Sequence, residues 1–151
     1  MMVRHADMPA LQRPAQPESL PEVADQATAV VCVMLPLHIR SEANSRDHWR
    51  TKAKRAKLHR NCAELLLRNH PRPRTDGPIQ ITLTRIAPRR LDDDNLASGF
   101  KATRDGVADW LGIDDGAKRL EWRYAQRKGR PGQLGAEVVV MWHVKEFNNQ
   151  G

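Results

Sequence analysis

From Ala29 the run AVVCVML contains no polar residue, is rich in valine and is closed by Pro36. A strand covered on both faces reads this way, so this segment is predicted to lie centrally in a sheet. Residues 47–69 change the period. Helix formers run throughout, and Trp49, Ala53, Ala56, Ala63, Leu66 and Leu67 recur at helical spacing until His70 and Pro71, which predicts a helix. After the turn PRPRTDG, Ile79, Ile81 and Leu83 alternate with Gln80, Thr82 and Thr84, the period of a half-buried strand. A second helix is predicted over 95–111, because Leu96, Phe100, Thr103, Val107, Trp110 and Leu111 gather on one side at about 100° per residue. Asp94, Ser98, Lys101 and Asp105 fall on the other side. LEWRYAQ and EVVVMWHV alternate as strands, and the glycine-rich segment KGRPGQLG between them predicts a hairpin.

The order β-α-β-α-β-β predicts a single α+β domain, a mixed sheet of about four strands with two helices packed on it. A length of 151 residues suits one hydrophobic core. The domain is expected over 27–146, with a short tail over 147–151. Residues 1–26 scatter Pro9, Pro14, Pro17 and Pro21 among polar residues without an apolar face, and are expected to form a flexible leader. No apolar run approaches the roughly 20 residues of a membrane span, and the first residues lack the apolar stretch of a signal peptide. A cytoplasmic protein with no membrane partner is therefore expected. Cys32 and Cys62 stand singly in apolar surroundings, which predicts buried, reduced thiols.

Charge changes the picture. Twenty-five Lys and Arg against 18 Asp and Glu leave a formal net charge of +7, which favours a polyanionic partner, nucleic acid first. Along the first predicted helix, Arg46, Arg50, Lys54, Arg55 and Lys57 are candidates for phosphate contacts, since like charges this dense repel unless an anion arrives. An ordinary solvated helix face is the plainer account of the same run. Arg89 and Arg90, and Lys128 and Arg130 in the glycine-rich loop, are further DNA-binding candidates.

Against this excess, acids concentrate at Asp92, Asp93 and Asp94 and again at Asp114 and Asp115. Asp94 or Asn95 is a natural helix N-cap, but one cap needs one acid. Asp92 and Asp94 point the same way if the backbone leading into the helix is extended, so the two carboxylates can hold one hard cation. Magnesium fits, with manganese as an alternative, because it takes oxygen ligands and keeps waters and substrate phosphate in its other positions. An EF-hand is excluded: counted from Asp92, Ala97 stands where the glycine belongs and Thr103 where the bidentate Glu belongs. Neither GxSxG nor GxxxxGK occurs. A carboxylate cluster in a basic chain suits metal-dependent phosphodiester hydrolysis, in which cations bind the backbone and acids hold metal.

The order Asp92-Asp93-Asp94-Asn95, then Lys101 and Asp105 on the following helix, then Asp114-Asp115 beyond its end, resembles the RusA-like Holliday-junction resolvases of bacteria and phages. The likeness extends more loosely over residues 30–144, and Asn44 and Trp49 resemble polar and aromatic positions of that family. It implies magnesium-dependent cleavage of branched DNA, the four-way junction, by a homodimer. Asp92, Asp94 and Asp115 would be the metal ligands, with Asp114 as a substitute for Asp115, and Asn44 would contact DNA. The chain departs from the pattern at Ser98, where the family has a lysine. Three extra residues between Asn95 and Lys101 set Lys101 about 4.5 Å further along the helix axis, from where its long side chain could still reach the site and take that catalytic role. An exposed pair with Asp105 alone is the other reading. Two symmetric nicks are most simply made by two sites about a two-fold axis. Gly99, Ala102 and Gly106 form a small-residue strip suited to close approach by a neighbouring strand or a partner helix. The alternative is a DNA-binding protein that keeps the fold without catalysis.

Overall fold

Seven elements follow β1 (Gln26–Leu35), α1 (Trp49–Leu67), β2 (Ile79–Ala87), α2 (Asp93–Gly99), α3 (Lys101–Leu111), β3 (Leu120–Lys128) and β4 (Gly135–Lys145). The computed structural model describes residues 26–145. The expected leader, apart from Gln26, and the tail lie outside the described residues. The strands form one mixed sheet in the order β1-β4-β2-β3, so the architecture is α+β as the pattern predicts. β4 runs antiparallel to both β1 and β2, and β3 runs parallel to β2. Val31, Val33 and Leu35 of β1, Ile81 and Leu83 of β2 and Val138 and Val140 of β4 are buried in one cluster with Ala63, Leu67, Leu96, Phe100 and Val107. The alternate positions of β1 face outward, and the helices cover one side of the sheet.

Two strand expectations are corrected. β1 is an edge strand, not a central one, and Val30 and Met34 are 55% and 51% exposed. An unbroken apolar run does not itself report whether the far face is covered. β3 and β4 form no hairpin. β4 inserts between β1 and β2, while β3 pairs with the far side of β2. Residues 129–134 therefore cross the end of β2, where Gly129 N–H donates to the Ala87 carbonyl at 3.0 Å. A Cβ on Gly129 would lie 2.9 Å from the Gln133 carbonyl oxygen, so this crossing requires glycine.

The helices also differ from their patterns. Trp49 is 67% exposed and Ala53 and Ala56 face solvent, whereas His59, Ala63 and Leu67 turn inward. The inward stripe begins with Arg55, which is held by Glu42 at 2.5 and 2.8 Å and by Asp47 at 3.1 Å. The second predicted helix is two, broken at Phe100, and it starts earlier, with Asp92 rather than Asp94 or Asn95 as N-cap. Its expected core residues, Leu96, Phe100, Thr103, Val107, Trp110 and Leu111, are all buried.

The small-residue strip serves packing within the chain. A Cβ on Gly106 would collide with the Arg60 carbonyl of α1, and one on Gly99 would lie 2.6 Å from the Arg40 carbonyl. The close neighbour of Gly106 is thus helix α1, not a strand. Arg60 secures the same crossing by donating to both carboxylate oxygens of Asp109, at 2.6 and 2.9 Å. Cys32 is exposed and Cys62 half-buried, where buried thiols were expected. Among the described residues, no helix is long and apolar enough to cross a membrane.

Candidate active site

The acidic run opens helix α2. Asp92 has the extended backbone of an N-cap, φ −70° and ψ 165°, and its carboxylate accepts from Asn95 N–H and from Asn95 Nδ2, both at 2.9 Å. Asp93 and Asp94 follow in the first turn, where the helix dipole favours negative charge, and all three acids are exposed. Asn95 Oδ1 turns the other way, accepting from Ser41 Oγ at 2.6 Å and Asn44 Nδ2 at 3.4 Å. Asn44 is thereby brought to the acidic turn from 51 residues away. Arg55 braces the loop that carries it through Glu42, whose carboxyl pKa is lowered by the hydrogen bond from that guanidinium.

Asp114 and Asp115 lie in the turn after α3. Asp114 Oδ1 accepts from Gly116 N–H at 2.8 Å, a local turn contact. Asp115 is anchored more firmly: its Oδ2 accepts from Arg104 Nε at 3.1 Å, and its carbonyl accepts from Arg104 Nη2 at 3.0 Å and Trp122 Nε1 at 2.9 Å. Arg104 also lies over the Trp122 ring at 4.7 Å and donates to Tyr124 Oη.

Among the described residues no group of three or more His, Cys, Asp or Glu is placed to hold a metal ion. Asp92, Asp94 and Asp115 thus do not form a three-ligand centre in this arrangement. Asp92 is extended but Asp94 is already helical, so the extended entry that would point both carboxylates the same way is not formed. Each is exposed, which suits the sparser mode in which magnesium takes one or two carboxylates and fills its shell with water and substrate phosphate.

Lys101 is exposed at the start of α3, beyond the break at Phe100. It forms no ion pair among the described residues, so its charge is not consumed by Asp105. Ser98 is half-buried and donates to the Asn95 carbonyl at 3.1 Å.

A cleft of about 340 Å³ opens on the other side of Leu91, at the C-terminal ends of the parallel strands β2 and β3. Arg85, Arg89, Arg90, Gln126, Arg127 and Lys128 line it, and no acid does. Arg85 is only 6% exposed; it donates to the Ile39 carbonyl at 2.7 Å and the Arg89 carbonyl at 2.5 Å, and burial lowers its pKa. Pattern reading reached Arg89, Arg90 and Lys128 but missed Arg85 and Gln126. Arg85 did leave a signal, a charge at an apolar position of an alternating strand. Gln126 left none.

The remaining cation candidates divide. Arg46, Arg50, Lys54, Lys57 and Arg130 are exposed, with Arg50 lying 5.3 Å from the centre of the Trp49 ring. Arg55 is turned inward onto Glu42 and Asp47, so its charge is already matched within the fold.

No family model matches the chain. An uncharacterized protein of Xylella fastidiosa (strain Temecula1 / ATCC 700964) is 38% identical over 79 residues, covering 48% of this chain and 51% of the relative. The chain spans about half the length of that curated relative. A solved structure, thiamine-monophosphate kinase from Stenotrophomonas maltophilia K279a, aligns with 82% of this chain and 33% of its own at 17% identity and a TM-score of 0.40. A likeness of that degree assigns no activity.

Proposed function

We propose that this protein is a RusA-like, magnesium-dependent endonuclease that cleaves branched DNA in the cytoplasm. One juxtaposition carries the reading: Leu91 alone separates Arg90 of a cleft lined by cations from Asp92 of an exposed acidic turn. Phosphodiester hydrolysis needs both beside one another, because the phosphate must be held where a metal-activated water can attack it. Asp92 and Asp94 would hold the ion, which when bound polarises the phosphate and lowers the pKa of its water. Asn44 and Ser41 orient Asn95, and Asn95 in turn orients Asp92. Exposed Arg50, Lys54 and Lys57 on α1 would grip neighbouring phosphates, giving binding that weakens steeply with salt. Action on a two-fold junction calls for a homodimer.

The test is a labelled four-way junction incubated with protein and magnesium, wild type against Asp94→Asn. Nicked product from wild type and none from the variant is the expected result. A second reading, a DNA-binding protein without catalysis, draws on the pairing of Asp115 with Arg104, which engages one oxygen of a carboxylate that the family likeness counts among the metal ligands. Tight junction binding with no product from either protein would select it.

A further inference from the structure

We infer that the cleft at the ends of β2 and β3 is a seat for a single phosphate group of a nucleic-acid strand, filled without metal and distinct from the acidic turn. Elsewhere in the fold the cations that are half-buried divide: Arg55 meets Glu42 and Asp47 and Arg104 meets Asp115, whereas Arg119 and Lys52 each donate to one neutral carbonyl. The cleft differs in gathering five cations on one lining that holds no acid. Arg85 is nearly fully buried, yet it donates only to two neutral carbonyls, so its charge is desolvated without a counter-charge. Arg89, Arg90 and Lys128, all exposed, line the same cleft, and none of them forms an ion pair among the described residues. Arg127 alone among the lining cations meets an acid, Glu137, at 3.7 Å.

Such a concentration of like charge in a concave, partly dry site is relieved by an anion with several acceptor oxygens, and guanidinium groups match phosphate geometry. The cavity of about 340 Å³ has room for a phosphate and the sugar attached to it. It lies outside the carboxyl ends of the parallel strands β2 and β3. Read with the proposed nuclease activity, on which this placement rests, the seat takes the phosphate beside the one cleaved and sets the strand's register on the acidic turn.

Gln126 supplies the reporter, because its side-chain amide lines the cleft and binds Leu91. With the full chain in EDTA, its side-chain amide and the Leu91 N–H are followed by nitrogen-15 NMR. Three probes are titrated at constant ionic strength: inorganic phosphate, a 5′-phosphorylated dinucleotide and an unphosphorylated dinucleotide. The expected result is saturable shifts of both signals by phosphate and by at least one dinucleotide, with the dissociation constant raised at least about tenfold in an Arg89→Ala, Lys128→Ala double variant. Equal response to the two dinucleotides assigns the seat to an internal phosphodiester, and response to the phosphorylated one alone assigns it to a strand end. If the double variant loses its native spectrum, Lys128→Gln replaces it. The absence of shifts by all three probes up to about 50 mM overturns the seat, as does an unchanged dissociation constant in the folded variant. Shifts from a protein that cuts no junction would leave the seat and remove the nuclease; cutting without shifts would do the reverse.

Discussion

Gln126 closes on both backbone groups of Leu91, accepting from its N–H at 2.9 Å and donating to its carbonyl at 2.7 Å. The pair joins β3 to the residue immediately before the N-cap Asp92, so a side chain in the cationic cleft sets where the acidic turn begins. Gln126→Ala is expected to destabilise the fold by about 1–2 kcal/mol, the scale of two lost hydrogen bonds with their backbone partners left wanting. Urea unfolding measures that loss. Hydrogen exchange adds a local check, since the Leu91 amide should exchange faster while amides of β4 change little.

Lys101 tests the proposed chemistry. Its ammonium is exposed and unpaired among the described residues, and helical side chains lean toward the N-terminus, here toward the turn that carries Asp94. Lys101→Ala should lower single-turnover cleavage by at least about tenfold with junction affinity nearly unchanged, and Ser98→Lys in that background should restore part of the rate. Unchanged cleavage would remove the lysine from the mechanism.

Thr103 is fully buried, and its hydroxyl has no hydrogen-bond partner. Replacing it by the near-isosteric Val removes a polar atom that gains nothing where it lies. Thr103→Val is expected to raise the unfolding free energy by about 0.5–1 kcal/mol. A lower urea midpoint for the variant would mean the hydroxyl is satisfied in solution.

His59 on α1 is 5% exposed, and its pKa is lowered from 6.5, burial first among the causes. His38 shifts in the same direction, again chiefly through burial and then through Arg40, Arg85 and Arg55. A depressed imidazole leaves the folded protein binding fewer protons than the unfolded chain. Stability is therefore complete above pH 6.5 and declines as pH falls below it toward the folded-state values. The paired carboxylates Glu42 and Asp109 are also depressed, by hydrogen bonds from Arg55 and Arg60, but their contribution is lost only at pH below their ordinary 4.5 and 3.8. A urea midpoint lower at pH 5.5 than at pH 7.5 is expected, with the difference reduced in His59→Gln. Equal slopes in the two proteins would exclude His59 as a source.

Local pattern by itself determined the helix over the region of α1, the alternation of β2, the two late strands, the buried face of α2 and α3 and the concentration of acids at a helix start. These properties depend on residues within one or two turns of each other, which the chain order lists directly. Tertiary structure alone decided that β4 separates β1 from β2, because an alternating strand offers the same backbone groups to either neighbour and Gly129 permits the chain to cross over Ala87. It also decided that Arg55 is consumed by Glu42, that Asp115 rests on Arg104, and that Asn44 reaches Asn95. A charged residue reads alike in a sequence whether its counter-charge is a solvent ion, a carboxylate folded against it or a phosphate yet to arrive. The difference is made by burial, and buried Arg85 is held by the Ile39 carbonyl, 46 residues away in the chain.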